Sequence, residues 1–429
     1  MTEVVRRRDT RILWALPLAV YALSRLFQLA LVWWMADNGE VRGRLLAWDG
    51  GHFVRLAEEG YPTGYSYTTE GALTGNGLAF FPGYPMLVRV VHLATGLEVG
   101  TAAITVAWIA GAFAAVLICA LGTRLYDERV GLALTALFCT QPMSMALSMA
   151  YSEALFVAMV AGMFLFAHRG DWLVAGVFGL GAALSRPTGA AAAIGLAVAA
   201  AIAVYRSRRA PARADSDGVG AARADSGGVE AARADSGGVE AARADSGGVE
   251  AARADSGGVE ARTPVWQPIL AAAVALAGVP GYLLWVGLRV GDLGAWFDIQ
   301  TAGWGTTFDY GTSTFAFVRD ALRTGEGWIQ VSIAWMVIGV VVLAVTAVAQ
   351  RVWPPLLVYG LIALVLVLGQ GGYYHSKPRL LVPVLVILIP PAVALGRARP
   401  RTAALVLSGC AAFGLWYGAY LITVWHYAI

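Results

Sequence analysis

Apolar stretches about as long as a membrane is thick recur along almost the whole chain. A helix needs about 20 apolar residues to cross a hydrocarbon core. Charged residues make up only 14% of the 429 residues, whereas soluble domains average about 25%. We therefore predict an all-α polytopic membrane protein with roughly eleven transmembrane helices. The candidate spans are Ile12–Met35, Thr101–Thr123, Val130–Ser148, Tyr151–Ala167, Trp172–Ser185, Pro187–Tyr205, Val265–Val290, Trp328–Ala349, Trp353–Gly369, Pro378–Leu395 and Thr402–Thr423.

The first span and the cysteines fit this class. Arginines at Arg6–Arg11 precede the first span, as in a signal peptide. Its apolar run is too long, however, and no small-x-small cleavage site follows, so we expect a retained helix. Cys119, Cys139 and Cys410 all lie within apolar stretches, which predicts neither a disulfide nor a metal site.

Clusters of basic residues predict the orientation. The positive-inside rule places Arg6–Arg11, Arg206–Arg213 and Arg397–Arg401 in the cytoplasm, and it explains them better than nucleic-acid binding does. The first loop, residues 36–79, carries six acidic and three basic residues, which suits the outer side. The parity of the spans then requires Phe80–Ala94 to lie along the outer interface or re-enter it. We expect a cytoplasmic N-terminus and several polar loops gathered at the extracytoplasmic face.

A repeated decapeptide divides the chain into two helical groups. Ala-Ala-Arg-Ala-Asp-Ser-Gly-Gly-Val-Glu occurs four times without change from Ala221 to Glu260. One Val in each unit cannot build a core, so burial cannot offset the cost of ordering the segment. We predict an N-terminal transmembrane group at 1–209 with a functional first loop at 36–79, a disordered cytoplasmic linker at 210–263, and a C-terminal transmembrane group at 264–429. A partner-binding tail is the alternative interpretation of the linker.

The most informative motif follows the first span. Trp48-Asp49-Gly50-Gly51-His52-Phe53 opens a pattern with helical spacing, which predicts a short amphipathic helix at the outer interface. Asp49 stands at its start. The carboxylate could cap the helix N-terminus, which is worth about 1 kcal/mol. It could equally take a proton from a hydroxyl group at the membrane surface.

Two further motifs lie downstream of the first loop. Ala79-Phe80-Phe81-Pro82-Gly83-Tyr84-Pro85 has the composition of an aromatic interfacial belt with a rigid turn. Tyr151-Ser152-Glu153 places one carboxylate at the outer end of a span, where polar residues often mark only the water boundary. Neither motif decides a function on local pattern alone.

Together and in this order, the three motifs closely resemble the PIG-V mannosyltransferases. The resemblance ends with Leu184-Ser185-Arg186-Pro187-Thr188-Gly189, so it is specific only within the first 190 or so residues. It implies a bundle of the GT-C class, the polytopic glycosyltransferases that use lipid-phosphate sugars, with short interfacial helices in the first extracytoplasmic loop. It also implies a mannose transferred from polyprenyl-phosphate-mannose to a lipid-linked or glycolipid acceptor.

The resemblance assigns roles to residues of the first motifs. Asp49 matches the acidic residue of the first loop and would deprotonate the acceptor hydroxyl, which attacks the sugar with inversion. Four neighbouring side chains are candidates to contact the acceptor or the sugar: Trp48, His52, Tyr84 and Glu153. No nucleotide is involved, so the lack of a Gly-rich phosphate loop is expected.

Basic residues near a late span are candidates to bind the donor phosphate. Lys377 and Arg379 could neutralise it by charge-assisted hydrogen bonds, or could simply snorkel to the interface. Arg186 faces the same choice, because the adjacent Pro187 can also serve only to break a helix. His375 could protonate or bind the phosphate as a second catalytic residue, or could be a satisfied interfacial histidine.

Other functional classes remain open at this point. A polytopic transporter or lipid flippase is also built from many helices with a few polar groups, and an inactive scaffold could retain the fold. No cluster with metal-ligand spacing is present, so we expect neither a metal nor another cofactor. The Arg-, Ala- and Gly-rich composition suggests a bacterial plasma membrane as the location.

Overall fold

The computed structural model describes residues 2–36, 40–209, 264–325, 327–425 and 427, with side chains from residue 14 onward. The predicted linker at 210–263 lies outside these residues. The described chain is dominated by helices, as predicted for an all-α membrane protein. They are α1 (Thr2–Met35), α2 (Val41–Leu45), α3 (Asp49–Glu59), α4 (Gly83–Thr95), α5 (Val99–Leu125), α6 (Glu128–Thr140), α7 (Glu153–Arg169), α8 (Trp172–Ser185), α9 (Gly189–Arg209), α10 (Trp266–Val290), α11 (Ala295–Trp304), α12 (Thr312–Thr324), α13 (Trp328–Ala349), α14 (Pro354–Leu368), α15 (Lys377–Leu380), α16 (Ile389–Arg397) and α17 (Pro400–Thr423).

Two short strands and several 3-10 turns interrupt the helices. Strands β1 (Ser66–Tyr67) and β2 (Leu73–Thr74) pair antiparallel within the first loop. The 3-10 turns lie at Gly77–Ala79, Ser144–Leu147, Tyr374–Ser376 and Leu385–Leu388.

Six described helices are long and apolar enough to cross a membrane, or seven if one bent pair counts as a span. They are Trp14–Met35, Val99–Leu125, Gly189–Arg209, Trp266–Val290, Trp328–Ala349 and Pro400–Thr423. The bent pair joins Tyr374–Leu380 to Leu385–Arg397 at an angle of 74°. A multi-pass membrane protein is therefore confirmed, whereas the count of eleven spans stays a prediction.

The remaining predicted spans form shorter helices. Helices α6, α7, α8 and α14 have 13, 17, 14 and 15 residues. At 1.5 Å per residue each is at most about 26 Å long, below the thickness of about 30 Å of a hydrocarbon core. A hydropathy pattern does not register the end of a helix when the following turn is also apolar, as at Ser144–Leu147 after α6. The predicted span is then longer than the helix.

The two helical groups pack into one body. Helix α10 lies against α8 and α9, α14 against α9, and α17 against α1. Small residues allow the closest approach: a Cβ added at Gly278 of α10 would lie 2.5 Å from the Cβ of Ala183 in α8. Since lipid offers no hydrophobic drive between helices, such close packing supplies much of the attraction within a membrane.

A smaller apolar cluster attaches the first loop to the C-terminal group. Leu78, Ala79 and Phe81 of the loop pack with Tyr282 of α10 and Ile299 of α11, and all five are buried. This contact brings the first loop, which follows α1, over the region where α7, α8 and α15 begin or end.

Candidate active site

Four charged side chains from distant parts of the sequence meet in one network. Arg379 Nη1 lies 2.8 Å from Asp49 Oδ2, and Arg379 Nε lies 3.4 Å from Glu153 Oε1. Arg186 Nη1 lies 2.8 Å from the same Glu153 oxygen. Ion pairs so enclosed gain from the low local dielectric only because each charge has an opposite partner. The network therefore joins three of the sequence motifs to the late basic segment.

Backbone contacts set the position of Asp49. The carbonyl oxygen of Leu45 accepts a hydrogen bond of 2.9 Å from the amide of Ala150. The Tyr151 hydroxyl donates to the Ala47 carbonyl at 3.3 Å. The chain just before α3 is thereby tied to the chain just before α7, so Asp49 and Glu153, the first residues of these helices, face the same space.

The helix-cap interpretation of Asp49 is wrong. Asp49 is the first residue of α3, the preceding Trp48 holds the capping position with φ 54° and ψ −116°, and no side chain caps the helix. The Asp49 carboxylate instead pairs with Arg379. A negative charge in the first turn still suits the helix dipole, but the carboxylate is directed toward the network.

Arg186 ends a helix and also joins the charged network, whereas its contact with a donor phosphate stays a prediction. It ends α8 in an extended conformation, with φ −156° and ψ 153°, as a residue before proline is expected to do. Its guanidinium also donates to Ser152 Oγ at 3.1 Å in addition to pairing with Glu153. The break at Pro187 therefore directs Arg186 toward the site.

Lys377 adds a cation without a carboxylate partner. Its Nζ donates to the carbonyl oxygens of Gln370 at 2.6 Å and Val367 at 3.1 Å. None of the ion pairs within the described residues involves it. The Asp309 carboxylate attracts it from beyond ion-pair distance and is itself held by the amides of Gly311 and Ser313. Lys377 therefore adds positive charge to the site.

These side chains line a cavity of about 690 Å³. Its ionisable lining includes Asp49, Glu153, Arg186, Lys377 and Arg379. The rest is largely aromatic and apolar, with Phe80 and Phe81 from the first loop and Trp296, Trp304 and Phe308 from the C-terminal group. A pocket that is mostly apolar with a few convergent charges is what a small-molecule or lipid site requires.

Four of the candidate residues do not line this cavity. The Tyr84 hydroxyl donates to the Ala103 carbonyl at 2.7 Å within the core, where the side chain is fully buried. Trp48 packs against the main core. His375 is buried beside the rings of Tyr373 and Tyr374. His52 stacks on Phe80 with ring centroids 5.1 Å apart, just outside the cavity. Contacts of these four residues with substrate stay predictions.

The His52 imidazole lies in a partly buried aromatic setting. Burial lowers its pKa below the usual range, the Asp49 carboxylate opposes that shift, and the Arg55 guanidinium adds to it. The ring is therefore expected to be neutral at pH 7, since its ordinary pKa is already about 6.5.

The sequence analysis missed the part of the cavity that the C-terminal group provides. Trp296, Gln300 and Trp304 of α11 line it, together with Thr307 and Gln370. The only local signal was an interruption of hydropathy between α10 and α13 that is rich in aromatic residues. Nothing in a single sequence pairs that interruption with the first loop.

Among the described residues, no group of three or more His, Cys, Asp or Glu side chains could hold a metal ion. Asp49 and Glu153 are each paired with arginine. The expectation that the reaction needs no metal stays a prediction.

One known family matches the N-terminal part of the chain. Residues 22–204 match the profile of the family described as mannosyltransferase (PIG-V). The match covers less than half of the 429 residues. The matched segment contains Asp49, Glu153 and Arg186, and the resemblance drawn from the motifs is confirmed. Together with the apolar helices, this match favours a membrane glycosyltransferase over the transporter alternative.

Solved structures with a similar course of the chain include oligosaccharyltransferase from Archaeoglobus fulgidus. The apo form has a TM-score of 0.46 and 12% identity, over 95% of this chain and 56% of that one. A complex with an inhibitory peptide and a dolichol-phosphate has a TM-score of 0.45 and 11% identity, over 95% and 56%. A complex with Zn and sulfate has a TM-score of 0.43 and 13% identity, over 94% and 52%. This chain spans about half the length of those proteins. No curated protein matches the chain.

Proposed function

We propose that the enzyme transfers mannose from polyprenyl-phosphate-mannose to a hydroxyl group of a lipid-linked or glycolipid acceptor at the extracytoplasmic face, with inversion at the sugar. The observation that carries the proposal is the charge balance of the cavity. Its lining includes three cations, Arg186, Lys377 and Arg379, against two carboxylates, Asp49 and Glu153. The excess of one positive charge complements the single negative charge of a phosphodiester donor.

Asp49 acts as the general base in this proposal. In the structure its carboxylate is paired with Arg379. A donor phosphate that binds Arg379 offers the guanidinium a second anionic partner, which leaves a lone pair of Asp49 available to the acceptor hydroxyl. The hydroxyl loses its proton to Asp49, and its oxygen forms a bond to the sugar C1 while the bond from C1 to the phosphate oxygen breaks.

The cations stabilise the leaving group. The departing polyprenyl phosphate gains negative charge as the bond to C1 breaks, so donors placed in advance around it lower the barrier. Arg379 and Lys377 lie two residues apart on α15, and Arg186 approaches from the end of α8. Glu153 holds both arginines in place, because its carboxylate contacts each of them.

The distribution of charge along the helices supports an extracytoplasmic site. Helix α7 runs from Glu153 at the cavity to Arg169, and α9 runs from Gly189, next to the cavity, to Arg206–Arg209. The 21 residues of α9 span about 31 Å at 1.5 Å per residue. The basic ends therefore lie about a membrane's thickness from the cavity, and basic ends favour the cytoplasm.

The test is mannose transfer from radiolabelled polyprenyl-phosphate-mannose to native lipids in membranes with wild type or Asp49→Asn. The substitution keeps the size of the side chain and removes the base. We expect transfer to fall about 10²- to 10⁴-fold, with little change in the donor concentration for half-maximal rate. Glu58→Gln is the matched control, because Glu58 is exposed on the same helix and lines neither cavity.

The outcomes separate the parts of the proposal. Equal transfer by wild type and Asp49→Asn would remove Asp49 from the role of base. If Asp49→Asn raised the donor concentration for half-maximal rate by as large a factor as it lowered the rate, the role of Asp49 would be to position Arg379 rather than to accept a proton. No transfer by wild type would contradict the proposed donor.

A further inference from the structure

A second, smaller cavity is lined by His52, three residues after Asp49 on α3. It measures about 280 Å³. One wall is α3, which contributes His52, Arg55 and Glu59. The rest of the lining comes from the part of the first loop that follows α3, including Ser66 and Asn76. Half of its lining residues are polar or charged, a larger share than in the large cavity, and none of the mechanism above uses it.

The second cavity is close to the proposed base. Asp49, His52 and Glu59 recur at helical spacing along one stripe of α3. At 1.5 Å per residue, His52 is about 5 Å and Glu59 about 15 Å from Asp49 along the axis. His52 stacks on Phe80 and meets the edge of Trp304 at 5.9 Å. Since Phe80 and Trp304 line the large cavity, this ring forms the partition between the two.

The two charges of the second cavity are free to bind a ligand. Arg55 and Glu59 are four residues apart, the spacing at which opposite charges on a helix can pair. Both side chains are exposed, and neither takes part in an ion pair within the described part of the chain. The charges of Arg55 and Glu59 cancel. A neutral ligand that both donates and accepts hydrogen bonds therefore fits this cavity better than a second anion does.

The loop wall is held in place before any ligand binds. The Asn76 amide donates to the Gly64 carbonyl and to Ser66 Oγ, both at 3.0 Å, and its oxygen accepts from the amide of Leu78 at 2.9 Å. Arg289 of α10 donates to the carbonyls of Pro62 and Tyr61 at 2.6 and 2.9 Å. A preformed pocket reduces the entropy lost on binding.

From these observations we infer that the second cavity binds the neutral polyhydroxyl head group of the acceptor, with Arg55 and Glu59 as its hydrogen-bonding partners. A hydroxyl of that head group reaches past His52 to Asp49. The inference rests on the proposed function for the role of acceptor, and it adds a site for the acceptor separate from the donor cavity. His52 then positions the acceptor between the two cavities.

Binding is tested without relying on transfer. In a Cys410→Ser background, Ser66→Cys places a thiol in the second cavity without touching Arg55 or Glu59, and Thr69→Cys is an exposed control on the same loop. We expect methyl α-mannopyranoside to slow reaction of a charged maleimide at residue 66 but not at residue 69. Adding Arg55→Gln should remove that protection. Equal reaction with and without the sugar, or protection by inorganic phosphate alone, would overturn the inference.

Steady-state transfer gives the second readout. Glu59→Gln and Arg55→Gln should each raise the acceptor-lipid concentration for half-maximal rate about tenfold, the effect of losing one hydrogen bond to a charged group. The donor requirement should be unchanged, and Glu58→Gln should match wild type. If the wild type transfers mannose but Glu59→Gln and Glu58→Gln need the same acceptor concentration, this inference is overturned and the proposed function is not. Protection at residue 66 in an enzyme that transfers no mannose would contradict only the proposed function.

Discussion

At the scale of single residues, Glu153 organises the site more than any local pattern suggested. Only 2% of its side chain is exposed, and its carboxylate contacts both Arg186 and Arg379. Arg379 also lies over the Tyr151 ring, with its Cζ 4.9 Å from the ring centroid. The sequence placed Glu153 at a helix end, where a carboxylate is often just solvated. Its enclosure instead makes it the support of two cations.

Replacing Glu153 with Gln should destabilise the protein and weaken donor binding. One uncharged amide would then face two enclosed guanidiniums, and breaking a buried ion pair typically costs about 3–5 kcal/mol. We expect a lower thermal midpoint in detergent and a higher donor requirement in the transfer assay. Ser152→Ala, which removes only the 3.1 Å hydrogen bond from Arg186, should lose about 1 kcal/mol. A Glu153→Gln variant as stable as Ser152→Ala would show that the network does not depend on this charge.

His52 should make the folded protein sensitive to mild acid. Burial lowers its pKa in the folded state, so the unfolded chain binds the proton better. This contribution to stability is present above the unfolded pKa of about 6.5 and is lost as the pH falls below it. The thermal midpoint of wild type should therefore drop between about pH 7.5 and 5.5 more than that of His52→Gln. Parallel drops in the two proteins would assign the acid sensitivity to other groups.

At the scale of elements, the first loop depends on side chains from α10 and α11. The Tyr282 hydroxyl donates to the carbonyl oxygens of Leu78 at 3.0 Å and Phe80 at 2.7 Å. Gln300 donates to the Ala79 carbonyl at 3.0 Å. An irregular segment cannot satisfy its own carbonyls, so these donors replace the bonds that a helix would supply. The loop that carries Asp49 is therefore completed by the C-terminal group.

Gly75→Ala should separate the first loop from α11. A Cβ at Gly75 would lie 2.5 Å from Gly303 Cα and 2.8 Å from the Trp304 ring. Such overpacking typically costs about 1–3 kcal/mol, and the shift would displace Trp304, which lines the large cavity. We expect a lower thermal midpoint and reduced mannose transfer. Gly64→Ala is the matched control, because nothing lies within 4 Å of the added atom. Equal effects of the two substitutions would contradict a close contact at Gly75.

The bounds of a helix were predictable where the helix ends together with its apolar stretch, and less so where the apolar stretch continues through a break. Helices α10 and α13 begin and end within one residue of the predicted spans. The stretch Pro378–Leu395 was read as one span, yet it bends by 74°. Its apolar residues satisfy a hydropathy count equally well in a broken helix, because the break at Leu381–Val384 is itself apolar. Arg379, the ion-pair partner of Asp49, lies in the first half of this bent pair.

At the scale of the whole molecule, the two helical groups share one core across the gap at 210–263. Helix α10 packs against α8 and α9, and α14 against α9. The main core contains buried residues from both groups, such as Phe164 and Tyr359, whose rings are 5.6 Å apart. The groups therefore need not be joined covalently to recognise each other.

The enzyme should assemble from two separate chains cut within the decapeptide repeats. Residues 1–230 and 231–429, co-expressed, keep every helix intact and retain the packing of α10 on α8. We expect the halves to co-purify in detergent and to transfer mannose at a rate near that of the intact chain. The control is Gly278→Leu in the second half, which places a large side chain against Ala183. Co-purification unaffected by that change would contradict assembly through this interface, and halves that associate but transfer no mannose would contradict the expectation that the assembled halves are functional.

The motifs around Asp49, Glu153 and Arg186 were enough to recognise the family, and hydropathy was enough to predict a helical membrane protein, because both are written in consecutive residues. The partners of those residues were not predictable, since ion pairs and cavities join positions that are far apart in sequence. Arg379 contacts Asp49 although the two are 330 positions apart in the sequence, and α11 lines the cavity without any motif of its own. Tertiary packing alone placed an Arg on Asp49 in place of a helix cap and placed His52 between two cavities.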